Sequence, residues 1–293
     1  ISLKGGTFGL ANPSVLYEQR LTDNLHLSAN AEYTHANGRY HFRYRKVLPS
    51  GLVAWDTTAV RQNGDVEAWR AEAGLFGYLT DGKWHVKGYF YDSEKGIPGA
   101  IVNNVWKNAQ RQWDRNAFVQ GNFTKTIVKG YDMQVNAKYS NDHMRYLNLD
   151  TTLMYVDNTF TQHEVYLSMA HRLNISGPQA AFSQLRTSPL NWDVNISADY
   201  QYNYLEGNLA NFVFPERHTT LVAVATQLYW KYLRAQASLL STFVSDRLHH
   251  PTLLTPTASK QTPQLTPAVF LNYQPYLKED LFIRAFYKRV FRM

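Results

Sequence analysis

From Trp192 to Tyr204 the chain alternates without a break. Trp192, Val194, Ile196, Ala198, Tyr200, Tyr202 and Tyr204 stand at one parity, and Asp193, Asn195, Ser197, Asp199, Gln201 and Asn203 at the other. A period of two is what a pleated strand imposes on its two faces, and no helix accommodates it. The same split recurs in Leu25, Leu27, Ala29, Ala31 and Tyr33, and in Tyr131, Met133, Val135, Ala137 and Tyr139, each interleaved with polar residues. Looser alternation covers 69–79, 84–90, 233–243 and 281–287, with Phe76 and Leu240 out of phase.

Two kinds of connection alternate between these strands. Short turns are expected at Thr22-Asp23-Asn24, Thr80-Asp81-Gly82-Lys83, Lys129-Gly130, Lys231-Tyr232 and Lys278-Glu279-Asp280. Longer polar stretches occupy 37–66, 93–112, 146–159, 206–217 and 246–265, and one longer segment, 174–191, falls on the short-turn side. The pattern predicts about 13 antiparallel strands in up-and-down order, with turns on one rim and loops on the other.

Strand length separates a soluble sandwich from a membrane wall. Trp192 and Tyr202 are ten residues apart, or ~33 Å of strand at about 3.3 Å per residue. Tilted by about 45°, that is ~23 Å of height, close to the ~25 Å apolar band of outer-membrane barrels. Trp69, Trp84, Trp192 and Trp230 are expected in a girdle on the turn side, and Tyr33, Phe90, Tyr139 and Tyr200 in a second girdle toward the loops. The polar parity favours Asn, Gln, Ser and Thr, as a wet interior would.

Composition agrees. Aromatics reach 14 % and charged residues only 18 %, yet mean hydropathy is −0.41, so apolar and polar residues must be finely interleaved. No apolar run approaches the about 18 residues of a helical span. The absence of cysteine removes disulfides and thiolate chemistry. A net charge of +7 raises the question of nucleic acid, but the basic residues read as scattered singly, so no nucleic-acid groove is expected. The chain starts at Ile1 without a targeting segment and stops at Met293 after a strand-like run, and it is read as an internal piece of something longer.

Three segments carry a family resemblance. Tyr91-Asp92-Ser93-Glu94-Lys95-Gly96-Ile97-Pro98-Gly99-Ala100 is similar to a strand-to-loop signature of TonB-dependent outer-membrane receptors. Leu3-Lys4-Gly5-Gly6-Thr7-Phe8-Gly9 looks like their first barrel strand, and Arg284 to Arg292 resembles a mid-barrel strand. The resemblance implies an all-β, antiparallel up-and-down transmembrane β-barrel of 22 strands, with residues 1–293 a partial barrel whose N-terminal plug and C-terminal strands are missing. It further implies a multi-pass protein of the bacterial outer membrane that actively imports a large scarce nutrient, cobalamin or a ferric siderophore. The implied partners are TonB, reached through the missing plug region, outer-membrane lipids and lipopolysaccharide, and a surface lipoprotein. The alternatives are a passive outer-membrane channel, an autotransporter or adhesin-type barrel, and a soluble β-rich binding protein or enzyme.

No nucleophile elbow, zinc-protease, P-loop or dinucleotide motif is present, so neither an enzyme nor a cofactor is expected. Asp92 and Glu94 form a candidate acid pair, read as rim carboxylates; His163 and His171 lie too far apart on a strand for one metal, and His249-His250 would point to opposite faces. Gly96, Pro98 and Gly99 read as a strand stop. Lys87, Lys138 and Arg234 are expected to face the interior. The candidate ligand-binding residues are the outer-loop aromatics Trp106, Trp113, Tyr155, Phe212 and Phe214, which offer contact area at low entropic cost, with Arg111 and Arg115 for an anionic ligand.

Overall fold

The computed structural model describes residues 1–99, 109–149, 155–176, 191–209, 213–230, 232–249, 257–260, 263–274 and 281–290. The elements are β1 (Ser2–Gly6), a 3-10 turn (Thr7–Gly9), β2 (Leu10–Thr22), β3 (Leu25–Ala36), β4 (His41–Val47), β5 (Val53–Val60), β6 (Val66–Leu79), β7 (Gly82–Ile97), β8 (Gln110–Val128), β9 (Tyr131–Asn148), β10 (Val156–Ser176), β11 (Asn191–Gly207), β12 (Phe214–Trp230), β13 (Leu233–His249), β14 (Thr257–Lys260), β15 (Gln264–Tyr273) and β16 (Ile283–Lys288). Thirteen of these form one antiparallel meander, in the order β1-β2-β3-β6-β7-β8-β9-β10-β11-β12-β13-β15-β16. The alternation predicts this architecture. β14 pairs alongside β13, and β4 with β5 makes a separate two-stranded sheet.

Register carries the alternation across the wall. Ala73, Gly88, Val119, Tyr139, Val165, Tyr202 and His218 sit side by side on one face. The opposite face is laced with polar contacts: Asn122 to Asn136 at 2.6 Å, Thr126 to Asp132 at 2.6 Å, and Asn174 to Asp193 at 2.7 Å. Lys138 meets Glu164 at 3.1 Å, and Lys87 pairs with Glu72 on the same face. A one-residue slip would reverse every strand's faces, so the two-sided contrast fixes the pairing.

What is missing is a core. Among the described residues only Ala68 and Val244 are buried apolar side chains, whereas Leu167, Met169, Ile196, Val222, Val224 and Phe243 are exposed. The accessible surface is 20254 Å², against the roughly 13,000 Å² that the size scaling of compact soluble chains implies for this mass. The molecule is a single-layer wall, and its apolar face requires an apolar solvent. No helix of the described residues is long and apolar enough to cross a membrane, which says nothing of strands.

Four expectations are corrected. The loops at 93–112, 146–159, 206–217 and 246–265 are shorter than predicted, because β7 to β13 run on into them. β10, with 21 residues, measures ~70 Å of strand at about 3.3 Å per residue, far more than the apolar band requires. Above that band both faces carry polar residues, Asp157, Thr159 and Thr161 on one and Asn158 and Gln162 on the other, and the hydrophobic alternation ends before the strand does. The 37–66 stretch contains β4 and β5. Trp69 pairs with Tyr33, their ring centroids 4.4 Å apart, so it belongs to the loop-side girdle. Finally, Leu3 to Gly9 is not one strand: β1 ends at Gly6, and the chain turns where Phe8 takes φ 62.

Candidate functional site

The loop-side rim is where candidate residues collect, and cross-strand pairing decides what each can do. Arg111, Trp113 and Arg115 lie on β8, not in a loop, at the parity of Val119 and Phe123, which continues the apolar face upward. Asp92 stands opposite Arg115 and Glu94 opposite Trp113. Arg115 donates to Asp92 at 2.8 Å, while Arg111 reaches Asp65 at 2.8 Å and Glu94 at 2.7 Å. The supposed acid pair is thereby divided between two guanidinium groups. Arg145 on β9 closes the set, donating to Asp157 at 2.9 and 2.8 Å with its guanidinium 5.1 Å from the Trp113 ring. Asp65, Arg145 and Asp157 were invisible to a reading that placed this region in loops.

These contacts shift the carboxylates in one direction. The hydrogen bond from Arg111 holds Asp65 below the ordinary carboxylate pKa, and that from Arg145 does the same for Asp157. A folded pKa below the unfolded one means the pairing stabilises the rim above pH ~4 and is lost as the pH falls through the lowered value. Carboxyl-carbon NMR titration in nanodiscs is expected to give both residues midpoints below that of aspartate in a disordered peptide. Midpoints at or above the peptide value would dissolve the ion-paired rim.

A clasp holds this corner. Arg61, 5 % exposed, donates to the Pro98 carbonyl at 2.8 Å and to that of Gly99. Asn63 donates to the carbonyls of Ile97 at 3.0 Å and Gln110 at 2.7 Å. The Gly96-Pro98-Gly99 motif does end β7 at Ile97. The reason for Gly96 is different from a turn, since a Cβ there would stand 2.6 Å from the Asn63 carbonyl oxygen.

Farther round, Phe214 opens β12 and, with Thr159, Thr161, Tyr204, Glu206, Gly207 and Asn208, lines a hollow of about 370 Å³. Tyr155 precedes β10 and is exposed. Trp106 and Phe212 lie outside the described residues. Glu216 accepts hydrogen bonds from His218 Nε2 and His249 Nε2, each at 2.9 Å. The other ring nitrogen of His218, Nδ1, lies 2.8 Å from the Tyr200 hydroxyl, and in the neutral ring that donates to Glu216 it accepts from that hydroxyl. His163 and His171 are likewise hydrogen-bonded to Tyr139 and Tyr131, at 3.0 and 2.7 Å. Among the described residues no group of three His, Asp or Glu is placed to hold a metal.

The β4–β5 hairpin was missed. Arg39-Tyr40-His41-Phe42-Arg43-Tyr44-Arg45-Lys46 alternates basic and aromatic residues, which corrects the view that cations are scattered singly. Its signal was a period of two in charge. The hairpin is rooted where Tyr40 packs edge-on against Phe8, centroids 5.8 Å apart, and where Gly38 meets Gly64.

The wall described so far has the fold of the barrels of TonB-dependent outer-membrane receptors. It superposes on the siderophore receptor PiuA of Acinetobacter baumannii with a TM-score of 0.63 at 8 % identity, covering 94 % of this chain and 46 % of that one. The hemophore receptor HasR of Serratia marcescens, solved with its hemophore HasA and heme, gives a TM-score of 0.60 at 9 % identity over 98 % of this chain and 43 % of that one. BauA, the ferric preacinetobactin receptor of Acinetobacter baumannii, gives 0.57 at 9 % identity over 92 % and 44 %. The chain therefore spans less than half the length of the solved structures it resembles. No family model and no curated sequence matches it.

Proposed function

We propose that this chain is part of the barrel wall of a receptor in the bacterial outer membrane that imports a large scarce nutrient using energy delivered through TonB. The observation that carries the reading is the thirteen-strand single-layer wall, apolar on one face and ion-paired on the other, together with its superposition on receptor barrels along almost its whole length. In this reading the apolar face meets lipid, the polar face meets a wet interior, and further residues supply the plug and the remaining strands. A ferric chelate is favoured over cobalamin, because siderophore and heme receptors are among the structures it resembles. The rim captures ligand through Tyr155 and the aromatics Trp106 and Phe212, while Arg111, Trp113 and Arg115 stiffen the wall beneath them; the Phe214 hollow, on the outward parity of Tyr202 and His218, opens toward the lipopolysaccharide side. Lipopolysaccharide packs against the outside, and a surface lipoprotein is a further partner. No step of this reading needs enzyme chemistry.

Uptake of iron-loaded chelates and of cyanocobalamin by cells carrying the full-length protein tests it. Uptake is expected to require both TonB and the proton gradient. TonB-independent uptake, or an ungated conductance in a planar bilayer, would favour the passive channel and overturn the import reading.

A further inference from the structure

We infer that the β4–β5 hairpin is a capture arm for a soluble metal chelate carrying several anionic groups. The inference rests on the import reading and names the substrate class. Between positions 39 and 60 the chain carries the cations Arg39, Arg43, Arg45 and Lys46 against one carboxylate, Asp56. His41, Arg43 and Arg45 share one face of β4, at steps of about 7 Å, so the row spans ~14 Å. The Arg43 and Arg45 side chains are 68 % and 57 % exposed.

Asp56 organises this row without cancelling it. It accepts from Arg43 Nε at 2.7 Å and Nη2 at 2.6 Å, and stands 3.9 Å from Arg45. That contact holds the Arg43 fork in one plane and leaves the face net positive. The opposite face carries Phe42 and Tyr44 with Trp55, over which Lys46 lies 5.0 Å from the ring centroid, giving the arm a firm back. Arg111, Arg115, Arg145 and Arg217 elsewhere on the rim each meet a carboxylate at 2.7–2.8 Å, whereas on the arm one carboxylate is shared between Arg43 and Arg45. With four cations against one carboxylate, the arm carries a net positive field that steers anions from solution.

A single carboxylate cannot bridge a ~14 Å row, so the face favours a ligand with anionic groups spread over that distance, met by Arg45, by the Nη edge of Arg43 that Asp56 leaves open and by His41. A bilayer lipid is a poorer fit. The hairpin starts eight residues beyond the girdle residue Tyr33 and pairs with none of the wall strands.

The test uses the full-length protein in nanodiscs, comparing wild type with R43Q/R45Q and, for fold integrity, with R20Q at the opposite rim. The probes are ferric citrate and ferric enterobactin as anions, ferrichrome as a neutral chelate and ferrioxamine B as a cation. The tightest binder is expected to be an anion, with binding that weakens as salt rises. R43Q/R45Q should lower its affinity about 10- to 100-fold and flatten the salt dependence, with R20Q unchanged. Strongest binding by a neutral or cationic chelate, no binding of either anion, or an unaltered anion affinity in R43Q/R45Q would each overturn the proposal. An effect of R43Q/R45Q seen only with lipopolysaccharide vesicles would also overturn it, assigning the arm to surface glycolipid. TonB-dependent uptake of a neutral chelate alone would leave import standing and remove only the arm's role, whereas uptake independent of TonB would remove both.

Discussion

Arginine in place of Ile196 is expected to cost about 2–4 kcal/mol of folding free energy in a bilayer, and the same change one position on, at Ser197, less than about 1 kcal/mol, as for a lumen-facing substitution. Ile196 is four residues from the turn-side girdle residue Trp192 and four from the loop-side Tyr200, which puts it near the middle of the apolar band. Its register neighbours His171 and Val224 share the apolar face, and the ring of His171 is engaged by the Tyr131 hydroxyl at 2.7 Å. A guanidinium at that depth has no such partner and must drag water into hydrocarbon. Ser197 lies between Ala170 and Ala223 on the polar face, where a long cation reaches the wet side. Urea unfolding of the full-length protein in lipid vesicles, followed by heat-modifiable gel mobility, reads both variants. Equal costs at the two positions would mean that the faces are not segregated between lipid and water.

That contrast is legible in sequence because a bilayer enforces it. Wherever one face must be apolar, as from Trp192 to Tyr204, the period of two is unbroken, and the strand count follows. Above the band the constraint changes. Asp92, Glu94, Arg111 and Arg115 stay in the ladder, but water bathes both sides and the selection is for pairing of charge across strands. Such pairs are 17 to 46 residues apart in the chain, so a hydropathy pattern has no access to them. The same reason hides Arg145 with Asp157, whose contact with Trp113 depends on β8 and β9 both outrunning the membrane. Trp69 belongs to the loop-side girdle because β6, Val66–Leu79, meets its short turn only after Leu79, and the register brings Trp69 beside Tyr33. The corner at Phe8 is a different kind of failure: a non-glycine residue in the left-handed region is set by tertiary contacts, and nothing local announces it.

Gly38→Ala is the second change expected to have a large effect, and its consequence is confined to the hairpin. Gly38 has φ 59, and a Cβ there would sit 2.0 Å from the Gly64 carbonyl oxygen and 2.3 Å from its carbonyl carbon. The left-handed backbone alone costs a non-glycine residue about 1–3 kcal/mol. The collision adds to it, because both partners are backbone and neither can swing aside. Gly51, in the turn between β4 and β5, provides a matched control: its φ is 81, yet nothing lies within 4 Å of its Cβ position, so Gly51→Ala bears the conformational cost without the collision. The expected outcome is that Gly38→Ala frees the root of the arm, with proteolysis at residues 39–61 at least tenfold faster than in wild type, while the wall keeps its heat resistance. Gly51→Ala should cleave at a rate much closer to wild type. If the two variants are cleaved equally fast, the Gly38–Gly64 contact does not hold the arm. An arm that swings on its root cannot present His41, Arg43 and Arg45 as a fixed row, so Gly38→Ala should weaken anion capture even though every cation remains.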